Sequence, residues 1–182
     1  YCQINDQIWL EFEEGKILAK ELRTERFRRL FHNEPQVNLQ EFGRTYTNYL
    51  AEGSFLLEGA EEICAYLAQR YKLAIITNGL TEVQYPRFRS SPLTNYISQL
   101  IVSEEIGYQK PQPEIFAHAL SQLGNPEKHE VMIIGDSLSS DIKGGINFGI
   151  GTCWFNPTKQ ANNTPLRPDF EISTLWELKK LL

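Results

Sequence analysis

A short apolar run that ends in a Gly-Asp pair constrains the fold of this chain more than any other feature. Residues 131–134 read Val-Met-Ile-Ile, which suits a buried strand, and Gly135 and Asp136 follow at once. Asp141 lies farther on, near the start of a predicted helix over residues 141–148. Open α/β sheets build their sites at the carboxyl ends of parallel strands. The segment therefore predicts a parallel sheet with a polar site at one edge.

The sequence beyond residue 52 alternates strand-sized apolar runs with segments of helical periodicity. The pattern predicts strands at residues 73–77, 99–102, 131–134, 152–155 and 170–172. It predicts helices at residues 60–71, 113–123, 141–148 and 174–182. Such alternation is typical of a parallel sheet with helices on both faces, so we predict a Rossmann-like α/β core.

The first 52 residues carry only helical signals. Ile4, Ile8 and Phe12 recur at helical spacing, and Asn38 is a candidate cap for a later helix. We therefore predict two regions, a helical subdomain over residues 1–52 and an α/β core over residues 53–182.

Composition excludes several classes of protein. The net charge of −5 over 182 residues disfavours a nucleic-acid-binding surface. No apolar run approaches the roughly 20 residues of a membrane span. The three cysteines lie far apart and form no metal-binding or redox pair, which fits a reducing cytoplasm. We expect a cytoplasmic protein that binds neither nucleic acid nor membranes.

Two polar elements precede the Gly-Asp pair. Thr77 and Asn78 end a predicted strand and can donate hydrogen bonds to phosphate oxygens, although a turn that needs Asn and Gly for its dihedrals is the stronger interpretation of this segment alone. Lys110 lies in a proline-stiffened segment that would fix its ammonium group near a negative centre. The alternative for Lys110 is a solvated loop lysine.

The two carboxylates after residue 134 suit a magnesium site. Mg²⁺ prefers carboxylate, water and phosphate oxygens. Asp136 follows the strand directly and is the predicted ligand, whereas Asp141 has a serious alternative as a helix cap.

The order of these elements resembles the haloacid dehalogenase superfamily of phosphohydrolases. Thr77 matches its second motif, Lys110 its third, and Asp136 with Asp141 its fourth, within the strings Lys-Pro-x-Pro-x-x-Phe and Gly-Asp-Ser-x-x-x-Asp. The resemblance covers residues 53 to 182, and the helical residues before them resemble most of the family's cap.

The resemblance implies a Mg²⁺-dependent phosphatase that works through an aspartyl-phosphate. In that scheme Asp136 binds the metal, and Thr77 and the backbone of Asn78 bind the phosphoryl oxygens. Lys110 stabilises the charge of the transition state, and Asp141 orients Lys110 or the waters of the metal.

Two further strings, Ser-Glu-Glu-Ile-Gly at residues 103–107 and Gly-Thr-Cys-Trp-Phe-Asn-Pro at residues 151–157, resemble the pyrimidine 5′-nucleotidase subgroup. This implies a nucleoside 5′-monophosphate as the substrate, a small phosphorylated metabolite as the partner, and a monomer or weak dimer.

The family's first motif, Asp-x-Asp-x-Thr/Val, is not found in these residues. Asp6 lies in a helical pattern, and Asp169 lies near the carboxyl terminus. The chain begins with Tyr1, and its single methionine is Met132. We therefore expect an upstream segment to supply the nucleophile and the central first strand. Without that strand, two strand edges would be exposed.

The helical region carries aromatic side chains and a basic cluster. The aromatic residues can stack a base, but their helical spacing favours core packing: Trp9, Phe12, Tyr46 and Tyr49. The arginines are interpreted as a solvated helix face rather than a nucleotide contact: Arg23, Arg26, Arg28 and Arg29.

Three other functions stay open on the sequence. A metal-independent dehalogenase is disfavoured by Asp136 in its Gly-Asp-Ser context. A sugar phosphomutase shares every motif seen here. A noncatalytic protein that binds a phosphometabolite would explain the lack of a nucleophile, but it has little need for all four motif residues.

Overall fold

Nine α-helices and five strands form from residues 1–182, all of which the computed structural model describes. The helices are α1 (Cys2–Glu13), α2 (Glu25–Leu30), α3 (Leu39–Glu52), α4 (Ala60–Leu67), α5 (Thr81–Arg89), α6 (Ser103–Ile106), α7 (Pro113–Gln122), α8 (Lys143–Phe148) and α9 (Leu178–Leu181). The strands are β1 (Leu73–Thr77), β2 (Ile97–Val102), β3 (Met132–Gly135), β4 (Gly151–Phe155) and β5 (Phe170–Ile172).

The parallel α/β fold predicted from the sequence is confirmed. Strand β1 pairs with β2, and β3, β4 and β5 form a second sheet in that order, with every pairing parallel. Helix α7 packs its apolar face on both sheets, where Ile115 and Phe116 contact a cluster that includes Ile101 of β2 and Ile133 of β3. Burying these side chains contributes roughly 1.5–3 kcal/mol each.

Three predicted helices differ in their bounds. The helix predicted over residues 60–71 ends at Leu67, after which residues 68–71 form a hydrogen-bonded turn. The final helix is split into a 3₁₀ turn at Leu175–Glu177 and α9. The helix predicted to begin at Asp141 instead starts as a π-helical turn at Leu138–Ile142, because the Ser137 side chain accepts the N–H of Ser140 and caps it.

The two sheets are separated by a gap. No backbone hydrogen bonds join β1 to β3. A cavity of about 620 Å³ is lined by consecutive residues of both strands, 73–76 and 131–134, together with apolar side chains of α7 such as Phe116. The inner edges of β1 and β3 are therefore unpaired, as the sequence led us to expect for the centre of the sheet.

Residues 2–52 contain helices and turns but no strand. Asn38 caps α3 as predicted, since its Oδ1 accepts the N–H of Glu41 at 3.2 Å. Ile8 and Phe12 of α1 lie in one buried cluster with Leu80 and Val83 of the α5 segment, which joins the helical region to the sheet region. The division into a cap and a core at residue 53 stays a prediction.

The aromatic residues of the helical region differ in their burial. Phe12 is buried, as predicted for core packing, whereas Tyr49 is 70% exposed, so that prediction was wrong for Tyr49. The exposure arises because Tyr49 lies two positions after the buried Thr47, on the opposite face of α3. None of the helices combines the length and apolar character needed to cross a membrane.

Candidate active site

Lys110 links the carboxyl end of β1 to the turn after β3. Its ammonium Nζ donates to the backbone carbonyl of Ile76 at 3.0 Å and to Asp141 Oδ1 at 2.7 Å. The Lys110 and Asp141 side chains are only 12% and 7% exposed. Both residues line the end of the cavity between the sheets. The structure thus holds this cation in a fixed place and excludes the solvated-loop alternative.

The backbone of Lys110 is held by Asn78. The Lys110 N–H donates to Asn78 Oδ1 at 2.8 Å, and Asn78 Nδ2 donates to the Lys110 carbonyl at 2.9 Å. The side-chain amide of Asn78 is therefore engaged in positioning the lysine, and the prediction that its backbone binds phosphate stays a prediction. What remains of Asn78 for a phosphoryl oxygen is its backbone N–H.

Asp141 is enclosed by the turn that follows β3. Its Oδ2 accepts the backbone N–H of Ser137 at 3.1 Å, while Oδ1 accepts from Lys110. A Cβ at position 135 would overlap the Asp141 carboxylate, so this close approach requires Gly135. Asp141 acts within the turn as more than a helix cap, because both of its oxygens have defined donors.

Asp136 differs from Asp141 in having an exposed carboxylate with no hydrogen bond or ion pair. Its backbone is fixed, since Trp154 Nε1 donates to the Asp136 carbonyl at 3.0 Å. No group of three or more His, Cys, Asp or Glu side chains converges on a metal position. One unengaged carboxylate fits Mg²⁺, which keeps several waters and takes further oxygens from substrate phosphate.

Thr77 ends β1 with its hydroxyl available. Its Oγ1 accepts the N–H of Gly79 at 3.0 Å, which leaves the hydroxyl hydrogen free to donate. The four predicted site residues other than Asn78 thus lie around the end of the gap between β1 and β3: Thr77, Lys110, Asp136 and Asp141.

The end of α1 reaches the same site, which sequence reasoning missed. Glu13 Oε2 accepts from Ser139 Oγ at 2.6 Å, and Gln109 Nε2 donates to the carbonyl of Phe12 at 3.2 Å. Burial raises the pKa of the Glu13 carboxyl, and the charge of Asp141 adds to that effect, against hydrogen bonds from Ser139 and Ser140. Nothing in the sequence around Glu13 distinguishes it from a solvated helix end.

The prediction of a solvated arginine face was right for one residue and wrong for another. Arg28 pairs with Glu25 at the surface, and its side chain is 65% exposed. Arg26 is 5% exposed and donates from Nε to the carbonyl of Leu22 at 2.8 Å. The two residues differ because α2 turns Arg26 toward α1 and α3, where Trp9 and Tyr46 lie against its guanidinium.

The family model of haloacid dehalogenase-like hydrolases matches residues 15–155. That range includes most of the helical region and the Lys110–Asp141 pair. The chain belongs to this family. The resemblance drawn from the motifs is thereby confirmed.

Two kinds of relative are similar to the whole chain. The HAD-hydrolase YfnB of Bacillus subtilis is 37% identical over all of this chain and 78% of its own length. Its magnesium-bound crystal structure, described as revealing interdomain movement, matches with a TM-score of 0.92 and covers 100% of this chain and 80% of that one. The pyrimidine 5′-nucleotidase YjjG of Escherichia coli is 34% identical over all of this chain and 80% of its own length. The pyrimidine 5′-nucleotidase PynA of Streptococcus pneumoniae is 36% identical over 98% and 76%.

Proposed function

We propose that this protein is a Mg²⁺-dependent phosphatase of small phosphomonoesters, with a pyrimidine nucleoside 5′-monophosphate as its substrate. One observation carries the proposal: the Lys110 ammonium is fixed by Asp141 and Ile76 between the end of β1 and the turn after β3. A preorganised cation at the place where phosphoryl charge develops stabilises the transition state without reorganisation. The two similar pyrimidine 5′-nucleotidases support the substrate class.

The substrate phosphate is held by groups at the end of β1. The hydroxyl of Thr77 and the backbone N–H of Asn78 donate to phosphoryl oxygens, and Lys110 faces the charge on the opposite side. Asp141 holds the Lys110 ammonium in place through their 2.7 Å contact. In this scheme Asn78 acts on the phosphate twice, directly through its backbone and indirectly through the lysine that its side chain holds.

Asp136 would hold the metal. Its exposed and unengaged carboxylate suits a hard cation, and the donor set of one carboxylate plus substrate oxygens is common for Mg²⁺. When bound, Mg²⁺ would supply charge neutralisation at the phosphoryl oxygens.

The nucleophile is an aspartate on an extended segment outside residues 1–182, which fills the gap between β1 and β3. The unpaired edges of both strands and the apolar cavity between them support this part of the proposal. The carboxylate attacks phosphorus and the bond from phosphorus to the ester oxygen breaks, with the leaving oxygen taking a proton from the second carboxyl group of the Asp-x-Asp motif. That carboxylate then takes a proton from the water that attacks the aspartyl-phosphate, which releases phosphate and the free nucleophile. Glu13 and the end of α1 contact the edge of the site through Ser139 and Gln109.

Phosphate release by the protein expressed from its complete coding sequence tests the proposal. The panel sets UMP, dUMP and dTMP beside sugar phosphates, each with Mg²⁺ and with the metal chelated. We expect Mg²⁺-dependent release that is highest on the pyrimidine nucleotides. Highest release from a sugar phosphate would contradict the substrate class, and no release from any ester would favour a noncatalytic binding protein.

A further inference from the structure

A second cavity, of about 180 Å³, lies between the helical region and α5. We call it the cap pocket. It is lined by side chains of α1, α2 and α3 and by the segment that follows β1, among them Asn5, Trp9, Arg26, Tyr46, Gly79 and Arg87. None of its lining residues is a carboxylate. A small cavity with this lining takes a group that accepts hydrogen bonds.

Arg26 is the buried cation of this pocket, and it has no carboxylate partner. Its Nε donates to the carbonyl of Leu22 at 2.8 Å, and its Nη1 donates to Asn5 Oδ1 at 2.9 Å and more weakly to the Tyr1 hydroxyl at 3.4 Å. Nη2 has no acceptor in the protein. It is not sealed off either, because Ser103 Oγ is the one fully enclosed side-chain atom without a partner.

Burial of a guanidinium among neutral partners is costly, so it requires a reason. The rings of Trp9 and Tyr46 lie 5.7 and 5.9 Å from the Arg26 guanidinium carbon and offset part of that cost. They leave the donor capacity of Nη2 unused. A ligand oxygen in the pocket would use it.

Two other arginines line the pocket, and they differ in whether a carboxylate neutralises them. Arg23 is neutralised by Glu82 and Glu104, both at 2.9 Å, whereas Arg87 has no ion pair. The lining therefore offers guanidinium donors and no acidic acceptor. Arginine has donors only, so the matching ligand atom is a carbonyl or anionic oxygen.

One residue of the pocket lining lies next to the phosphate site. Gly79 belongs to its lining, and the Gly79 N–H donates to Thr77 Oγ1 at 3.0 Å. The Cα atoms of Gly79 and Thr77 are at most about 7.6 Å apart, since two peptide units span no more. A substrate whose phosphate lies at Thr77 can therefore extend its leaving group toward Arg26.

We propose that the cap pocket is the leaving-group site and that Arg26 sets substrate specificity by donating to a ring carbonyl oxygen of a pyrimidine base. This inference rests on the proposed phosphatase function and adds to it the residue that recognises the base. It also reverses the role given to Arg26 from the sequence alone, because a solvated arginine could not select a buried base.

Steady-state kinetics on UMP and ribose 5-phosphate test the inference, since these esters share the phosphate and sugar and differ in the base. The protein from the complete coding sequence is compared with Arg26→Gln. We expect the KM for UMP to rise by about tenfold more than the KM for ribose 5-phosphate, with a smaller change in kcat, because a hydrogen bond from a charged donor to the base is lost. Arg28→Gln, on the exposed face of the same helix, serves as the matched control and should change neither KM.

Equal changes for both esters in Arg26→Gln would overturn the inference and leave Arg26 a structural residue. If Arg26→Gln instead raised the KM for a sugar bisphosphate and left the KM for UMP unchanged, the assignment of the pocket to a base would be overturned.

If Arg26→Gln fails to fold, inhibition of the wild-type protein by uridine tests the pocket, because uridine carries the base without the phosphate. Competitive inhibition of ribose 5-phosphate hydrolysis by uridine, and none by ribose, supports the pocket, and no inhibition by uridine overturns it.

This design separates failure of the pocket from failure of the proposed function. Hydrolysis of ribose 5-phosphate without uridine inhibition rejects the pocket alone. If no ester is hydrolysed, calorimetric titration of uridine into the wild-type protein, Arg26→Gln and the control Arg28→Gln still measures the pocket. Binding that is weakened in Arg26→Gln but not in Arg28→Gln supports the recognition of a base, and no binding, or equal binding by all three proteins, rejects it.

Discussion

Lys110 and Arg26, the two largely buried cations described above, are held in opposite ways. Lys110 has an ionised partner, Asp141, and a backbone carbonyl, so its donors point to fixed positions. Arg26 has neutral partners and aromatic rings, and one of its terminal nitrogens has no acceptor in the protein. The difference indicates two tasks. A fully oriented charge suits a group whose substrate phosphate always arrives at one place, and an unfilled donor suits recognition of a group that varies between substrates.

The largest expected effect on stability comes from breaking the Lys110–Asp141 pair. Asp141→Ala leaves a buried ammonium without its counter-charge, and we expect the free energy of unfolding to fall by about 3–5 kcal/mol. Urea denaturation of the wild-type protein and the variant measures this fall. Lys16→Ala is the control, because the Lys16–Glu14 pair is exposed and solvent screens its attraction. An equal effect in both variants would show that Lys110 is no better ordered than a surface lysine.

Asn78 offers an intermediate effect on the same site. Asn78→Ala removes two hydrogen bonds to the backbone of Lys110, which contribute about 1–3 kcal/mol together. We expect kcat to fall because the lysine loses its fixed position, even though the variant keeps every charged group. Asn78→Asp keeps the acceptor for the Lys110 N–H. Its stability and its kcat should therefore lie between those of the wild-type protein and those of Asn78→Ala. An unchanged kcat in Asn78→Ala would contradict the proposal that this side chain positions Lys110.

Glu13 gives the smallest effect and one that depends on pH. Burial raises the folded-state pKa of Glu13 above its unfolded value, so its contribution to stability is greatest at low pH and is lost as the pH rises through the folded-state pKa. Glu13→Gln keeps an acceptor for Ser139 without the buried charge. We expect this variant to gain stability relative to the wild-type protein as the pH rises from below the ordinary glutamate range toward neutrality. Melting temperatures of both proteins measured across that pH range test the prediction. A constant difference between the two melting temperatures at every pH would contradict it.

The sequence predicted the parts of the site that lie within one element or its adjoining turn. Apolar runs located the strands, and the motif residues after β1 and β3 pointed to Thr77, Asp136 and Asp141. The contacts that complete the site join residues far apart in the chain, and local patterns carry no signal for them. Asn78 is 32 residues from Lys110, and Glu13 is 126 residues from Ser139.

Arg26 is a residue for which the local sequence pattern gave the wrong prediction, again because its contacts come from distant parts of the chain. Four arginines within seven positions of a helical segment are typical of a solvated face, and three of them contact glutamates. The fourth is buried because α1 and α3 supply Asn5, Trp9 and Tyr46 around it. Helical periodicity alone does not identify which neighbouring helices cover a given face.

The most direct test of the account is a Mg²⁺ titration of phosphate release from UMP, with wild-type protein and Asp136→Asn expressed from the complete coding sequence. Asp136 is exposed and its carboxylate has no partner in the protein, so the substitution should change the free energy of unfolding by less than about 0.5 kcal/mol. We predict that the variant keeps its melting temperature and loses Mg²⁺-dependent release. Full release by a folded Asp136→Asn protein at the same Mg²⁺ concentration would contradict the account.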